Sequence, residues 1–380
     1  MNDQQPPQFS PGEYIELFLQ QRGWSQADLA QVMGRPPQVI NEIILGRRGV
    51  SPRTARELAA AFGTSVGVWR NLQRANSQKA DESTTEVALR AKVFSLGPIK
   101  EMIRRGWIAG SRRAGGLRDQ VLAFYKQQTL DEQPTFQFHA ARKGTTYSEV
   151  NLPQVAWLHQ ARHVASALVP RGVFSDASLE RALGRLRQAA SEVAGVSDVP
   201  AILSEAGIRF VIVEHLPKTR IDGACFWLED GSPVIAMSMR YERIDHFWHT
   251  LFHELAHVKA MDGFNDEKKG RLDTDLPGSH TPVSVDRPES ELAADAFAAN
   301  ALIPRETLER FIARNRPMYS RRRIIELADE LGVHPGILVG QLQYRGEILY
   351  SHSRDLLVSV RGIIVASAET DGWKKLKRSA

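Results

Sequence analysis

Cysteine occurs once in the 380 residues, as Cys225. No internal disulfide can form, and any metal site has to be built without a thiolate cluster. Long apolar runs are missing too, none approaching the roughly 18 residues that a membrane span needs. The leading segment, Met1 to Pro11, is polar and proline-rich and has no apolar signal core. Internal repeats and low-complexity tracts are absent. Charge is only mildly one-sided, at a formal +5, which is compatible with nucleic-acid binding without establishing it. These absences lead to the expectation of a cytoplasmic chain that does not touch a membrane. At 42% hydrophobic residues it can fill about two or three domain cores.

Punctuation residues divide the chain. After a disordered lead (1–11), Gly12 to Phe18 reads as a helix broken at Gly23. Ser25 is a natural N-cap for a helix from Gln26 to Met33, ended by Gly34. Pro36 and Pro37 suit the first turn of a third helix, which Gly46 closes. A fourth follows Ser51-Pro52 and ends near Gly63, with Val68 to Gln73 as a last turn. Asn76 to Thr85 reads as a polar linker. Residues 86–132 read as helical, with Arg104, Arg105, Arg112, Arg113 and Arg118 forming a solvated face rather than a phosphate-binding one. Residues 134–150 are irregular. Helical periodicity returns over Val155 to Val169 and Leu179 to Val193. Ile208 to Val213 reads as a strand, and Ala224 to Leu228 with Val234 to Met239 flank Asp230-Gly231 as a hairpin. A helix from Arg243 to Ala260 follows, stopped by Asp262-Gly263. After a loop to residue 285, Asp286 and Glu289 begin another helix that ends at Pro304. Two short helices fit 304–314 and 320–332. The expected domains are therefore 12–75, a connecting region 76–150, a second domain 151–345, and an extension 346–380.

In the first domain, Leu29, Ala30, Val39, Ile40 and Ile43 fall where two short helices pack on one another. Gly34 permits the tight turn between them. The second helix then offers Gln38 and Asn41 outward, whose amides can read adenine edges in the major groove. Gln26, Arg47, Arg48 and Arg53 are placed to reach phosphates. This is a helix-turn-helix pattern. A single small domain holds an operator weakly, so a homodimer is expected. Ile324 to Leu342 has a similar outline but no groove-reading amides, and is read as packing.

The second domain carries His253-Glu254-Leu255-Ala256-His257. Histidines four apart project from one helix face and can bind one metal ion, with Glu254 offset by one step. A catalytic zinc site needs a third protein ligand. Ala260 and Gly263 stand where the metzincin pattern has its glycine and its third histidine, so that class is excluded. A glutamate on a later helix is the other common solution, and Glu291 fits it. Asp295, one turn on, can accept a hydrogen bond from a ligand imidazole and fix its tautomer. Glu254 is then the general base toward an attacking water, and afterwards the proton donor to the leaving amine. Tyr319, His280 and Arg240 are the candidates to stabilise the oxyanion. His246 and His249 are read as surface or supporting groups. Manganese and iron are not excluded in place of zinc.

Both halves resemble known families. Residues 12–73 resemble the XRE-type domain of HigA-like antitoxins, through Ser25-Gln-Ala-Asp-Leu-Ala30, Ile40-Asn41-Glu42-Ile43, Gly46-Arg-Arg48 and Trp69-x-Asn71-Leu-Gln73. Pro36 departs from the pattern, since serine or threonine often caps that helix. Residues 151–345 resemble the ImmA/IrrE metallopeptidases, through His253-Glu-Leu-Ala-His257, Glu291-x-x-Ala294-Asp295-x-Phe297-Ala298 and Leu302-x-Pro304. The resemblance implies an α+β, mostly helical chain: a helix-turn-helix bundle, then a zincin-like, gluzincin-type domain with a small sheet and a helical subdomain. It implies zinc on His253, His257 and Glu291, with Glu254 catalytic. It also implies a substrate class, XRE-type repressors, with this chain's own DNA-binding domain as another target. The alternative is a HigA-like antitoxin or repressor whose metal domain senses a ligand or holds a small toxin without cutting.

Overall fold

The computed structural model describes residues 9–136, 151–217, 219–264, 272–274 and 289–373. Expectations for residues 1–8, for most of 134–150, for Asp286 as a cap and for His280 lie outside the described residues. The described chain is α+β and mostly helical with one small sheet. It divides into two compact units. One holds the residues up to Lys92 with Arg112–Gly115, the other Val93–Ser111 and the residues from Gly116 onward.

In the first unit, α1 (Pro11–Arg22) starts at Pro11 rather than Gly12, because Ser10 and Glu13 close a reciprocal capping box around it. Ser25 and Asp28 do the same for α2 (Gln26–Met33). Gly34, at φ 60°, makes the turn into α3 (Pro37–Ile44), whose cap residue Pro36 offers no side-chain hydrogen bond. Next come α4 (Pro52–Phe62), capped by Ser51, and α5 (Val66–Phe94). The helix α5 corrects the linker expectation: Asn76 to Thr85 lies within it. No glycine or proline occurs from Val68 to Phe94, and the Gln, Lys, Ala, Glu and Arg there are good helix formers. Polarity alone does not end a helix. Ile15, Leu29, Ile40, Ile43, Leu58 and Trp69 form the fully buried core. Gly12 lets α1 and α3 touch, since a Cβ there would lie 2.2 Å from the Ile44 carbonyl oxygen.

The second unit includes α6 (Ile99–Arg104) and α7 (Ala114–Tyr125), the latter crossing the division in sequence. Then come α8 (Leu152–Ser166), α9 (Asp176–Ala189) and α10 (Val199–Glu205). The strands are β1 (Arg209–Ile212), β2 (Ile221–Trp227) and β3 (Pro233–Met237). After them come α11 (Ile244–Ala260), the short β4 (Leu272–Thr274) and α12 (Glu289–Leu302). The helices α13 (Arg305–Asn315), α14 (Arg321–Leu331), α15 (Pro335–Tyr344) and α16 (Arg361–Ser367) lead to β5 (Glu369–Thr370). The sheet order is β4-β2-β3-β1-β5. β2 and β3 form the expected antiparallel hairpin, Gly223 opposite Met237, while β1 runs parallel to β3 and to β5. β5 comes from the segment expected to be a mere extension. Its two residues are too short to carry a period in sequence.

The helix α11 runs through the centre of this unit. It packs against α12, α15, β2 and β3, and Phe247, Trp248, Leu251 and Leu255 of its apolar stripe are fully buried. The arginine run needs a correction. Arg105 is 4% exposed and donates to the carbonyls of Glu214 and His215, at 2.7 and 2.8 Å. It is an internal tie and not part of a solvated face, whereas Arg104 and Arg118 do lie at the surface beside Glu101 and Asp119. In α15, Ile337, Leu338, Val339 and Leu342 are buried, so the second helix-turn-helix outline is packing, as expected.

Candidate metal centre and nucleic-acid interface

The helix α11 carries His253 and His257 one turn apart, and α12 lies alongside it with Ala294 and Ala298 buried in the contact. Ala293 and Ala296, on the other side of α12, are exposed. The packing brings Glu291 to the imidazoles. His253 Nε2 is 3.4 Å from Glu291 Oε2, and His257 Nε2 is 3.7 Å from Glu291 Oε1. The two Nε2 atoms stand 3.1 Å apart. All three residues are 6% exposed or less, and their ligand atoms lie within 4.8 Å of one another.

Whether these residues suit a cation follows from their tautomers. His253 Nδ1 is 2.8 Å from Asp295 Oδ1, and His257 Nδ1 is 2.8 Å from Asp262 Oδ2. A carboxylate at each Nδ1 holds the ring proton there, so each Nε2 keeps a lone pair. Two lone pairs and a carboxylate then face one another in a buried space, an arrangement that repels itself unless a cation sits among them. In a tetrahedral zinc site, nitrogens at about 2.0–2.1 Å from the ion are roughly 3.3 Å apart, close to the spacing here.

Asp262 is the functional residue that sequence reasoning missed, since Asp262-Gly263 was read as a helix stop. The helix ends at Met261, which takes the left-handed conformation at φ 56°. That turn carries the Asp262 carboxylate back to His257. Trp227 of β2 secures it by donating to the Asp262 carbonyl at 2.8 Å. A carboxylate five residues after the second histidine was the available signal.

Glu254 is fully buried and faces β2 at Gly223. A Cβ on Gly223 would lie 2.0 Å from Glu254 Oε1, so the glycine makes the space that the carboxylate fills. The β2–β4 register shifts between Ile221 and Gly223, and such a bulge re-aims backbone beside a site. Glycine inside a buried strand was the signal for this residue. Burial pushes the Asp295 carboxyl up, but His249 and His253 outweigh it and hold the group well below the usual carboxylate range. His249 Nε2 lies 3.7 Å from Asp295 Oδ1. Burial holds the His249 imidazole below its ordinary value. His246 is 6% exposed and His249 half-buried, so neither is a surface group. Of the oxyanion candidates, Tyr319 donates to Glu347 at 2.5 Å and Arg240 to the Arg220 carbonyl at 3.0 Å.

In the first unit, Gln38, Asn41, Arg47, Arg48 and Arg53 are exposed and Gln26 is half-buried. Three of them are already engaged: Glu42 accepts from Arg48 Nε at 2.7 Å and from Gln38 Nε2 at 3.2 Å. Arg53 pairs with Glu57 at 3.0 Å.

Fold and site together define a class, a helix-turn-helix protein that also carries a metallopeptidase-type domain. Family models agree. One described as "Helix-turn-helix" matches residues 15–69, and a peptidase model described as "IrrE N-terminal-like domain" matches residues 204–342. The chain belongs to these families: an XRE-type helix-turn-helix domain precedes an IrrE/ImmA-like peptidase-family domain. Two curated relatives cover the smaller part. "Virulence-associated protein I" of Dichelobacter nodosus is 36% identical over 77 residues, 20% of this chain and 71% of that protein. "Uncharacterized HTH-type transcriptional regulator YddM" of Escherichia coli (strain K12) is 30% identical over 78 residues, 20% of this chain and 83% of that protein. Among the described residues, no helix is long and apolar enough to cross a membrane.

Proposed function

We propose that the protein is a cytoplasmic, DNA-binding transcriptional regulator with metal-dependent endopeptidase activity. Its substrate is an XRE-type repressor or its own DNA-binding domain. The observation that carries this reading is the buried meeting of His253, His257 and Glu291, with a carboxylate behind each histidine. His253, His257 and Glu291 hold the ion, zinc by this donor set, with manganese and iron as the alternatives that metal analysis distinguishes. When bound, the ion acts as a Lewis acid on the scissile carbonyl and activates water. Glu254 takes a proton on its carboxylate and passes it to the departing amine nitrogen. Gly223 fixes where that carboxylate sits, and burial excludes competing solvent around it. Asp295 and Asp262 keep the imidazole protons on Nδ1.

The domains proposed to do this work are 12–75 and 151–345. In the first, Gln38 and Asn41 read base edges while Gln26, Arg47 and Arg48 hold phosphates, with a homodimer spanning two half-sites. The deciding experiment incubates the purified protein with repressors encoded near its gene, with and without chelator, and maps the cut ends. Chelator-sensitive cleavage at a discrete bond is expected. Metal-loaded protein that leaves every such repressor and itself intact overturns the peptidase reading, and leaves a metal-holding regulator.

A further inference from the structure

A cavity of the second unit, about 390 Å³ in volume, opens near the start of α11. Mononucleotide-sized ligands occupy pockets of roughly this volume. Its lining is unusual in charge. Arg243, His246 and Arg354 contribute cationic or imidazole groups, Tyr241, Tyr350 and Ser351 contribute hydroxyls, and Leu357 is the apolar contact. Among the described residues, no carboxylate lines it. Two carboxylates stand behind the lining: Asp245 pairs with Arg243, and Asp222 lies 3.7 Å from His246 Nε2. Arg354 is exposed and takes part in no ion pair among the described residues.

His246 supplies the independent observation. It is 6% exposed, its ring sits edge-on to Tyr241 with centroids 4.6 Å apart, and its Nδ1 has no hydrogen-bond partner among the described residues. A buried ring nitrogen left unmatched is unfavourable unless something completes it. Two guanidiniums with hydroxyl donors favour an anion that accepts several hydrogen bonds at once, and phosphate does so better than carboxylate. The two phenol rings give such a ligand an aromatic surface to lie against.

We propose that this cavity binds a small organic phosphate of mononucleotide size, its phosphate met by Arg354 and Arg243 and its ring by Tyr241 and Tyr350. The position gives binding a route to the metal centre, because His246 precedes His253 by seven residues and lies on the same face of α11. The site stands apart from the peptidase reading, and a chain that cut nothing would still test it.

The test uses the full chain and titration calorimetry with each of the four ribonucleoside 5′-monophosphates, with the free nucleosides and inorganic phosphate as separate arms. The expected result is saturable binding of at least one nucleotide, one per chain. Its affinity should exceed that of its nucleoside and of inorganic phosphate by about tenfold or more. Arg354→Met, a change at an exposed residue, should weaken binding about tenfold or more, while Arg48→Met on the helix-turn-helix face leaves it unchanged. Binding that survives Arg354→Met but falls in Arg48→Met overturns the site, as does no saturable nucleotide binding at all. Inorganic phosphate binding as tightly as every nucleotide overturns the assignment of an aromatic ligand.

Discussion

The helices α3 and α11 carry most of the residues proposed to meet DNA and metal, and they are built in opposite ways. α3 has eight residues, no side-chain cap, and its key amides Gln38 and Asn41 in solvent. α11 has seventeen residues, and His253, Glu254 and His257 are at most 4% exposed. A groove-reading helix has to leave its polar groups accessible, because its ligand arrives from outside. A metal-holding helix has to bury them, because low dielectric and fixed neighbours give the donors their strength. Supporting residues follow the same division. Behind α11 stand Asp295, Asp262 and Gly223, each positioning one group. On α3 itself Glu42 ties two side chains together at the surface.

The strongest test of the contrast is Glu254→Gln. The amide fills the same space beside Gly223 but cannot take a proton, so cleavage should fall about 10²–10⁴-fold while bound metal, measured by elemental analysis, stays the same. Unchanged cleavage sinks the assignment of the base. Gly223→Ala comes next. Its methyl would lie 2.0 Å from Glu254 Oε1. Displacing the carboxylate by about an ångström should cost on the order of 10² in rate with metal retained. A rate within twofold of the parent means Glu254 does not act from this position. Asp262→Asn should weaken metal binding about 10–100-fold in a chelator competition, since a neutral amide holds the Nδ1 proton of His257 less firmly than the carboxylate and leaves the ring a poorer ligand. On the exposed side, effects are smaller. Asn41→Ala should cost about 1–3 kcal/mol on one operator position, and Arg47→Ala should lower the salt slope of duplex binding by about 1. Equal loss on every duplex sequence in the Asn41 variant breaks the readout reading.

The same division explains what the sequence disclosed. Ligand spacing on α11 and the Glu291–Asp295 pair on α12 are periodic, and a period survives translation into structure. The capped short helices that follow α1 announced themselves through Ser25, Ser51 and their glycines, whereas the Ser10 cap of α1 lay hidden in a segment read as a disordered lead. Asp262 and Gly223 have no period: each matters because a turn or a neighbouring strand brings it to the site, and that is tertiary information. Arg105 was misjudged for the same reason, as its carbonyl partners lie more than a hundred residues away. The linker expectation failed differently. Asn76 to Thr85 is polar all along, and the absence of helix breakers outweighed the absence of an apolar face.

Glu42 offers the finest test of whether α3 is built for access. Its carboxylate occupies Arg48 and Gln38, two of the groups proposed to touch DNA. The hydrogen bond from Arg48 holds the Glu42 carboxyl below its ordinary range, so it is ionised at neutral pH. Whatever this pair adds to stability is therefore present above the usual carboxylate pKa and lost as pH falls through the depressed folded value. If Glu42 only restrains its neighbours, Glu42→Gln removes a negative charge near the phosphates and frees Arg48. Duplex affinity should then rise about two- to fivefold, in line with the small worth of exposed ion pairs. The gain should hold from about pH 8 to about pH 5, because the parent carboxylate stays charged throughout. Fluorescence anisotropy on a labelled operator at several pH values reads this directly. A loss of affinity confined to duplexes carrying one particular cytosine would show that Glu42 accepts from the base itself. The α3 surface would then use all of its polar groups for reading, and the restraint would be part of the recognition.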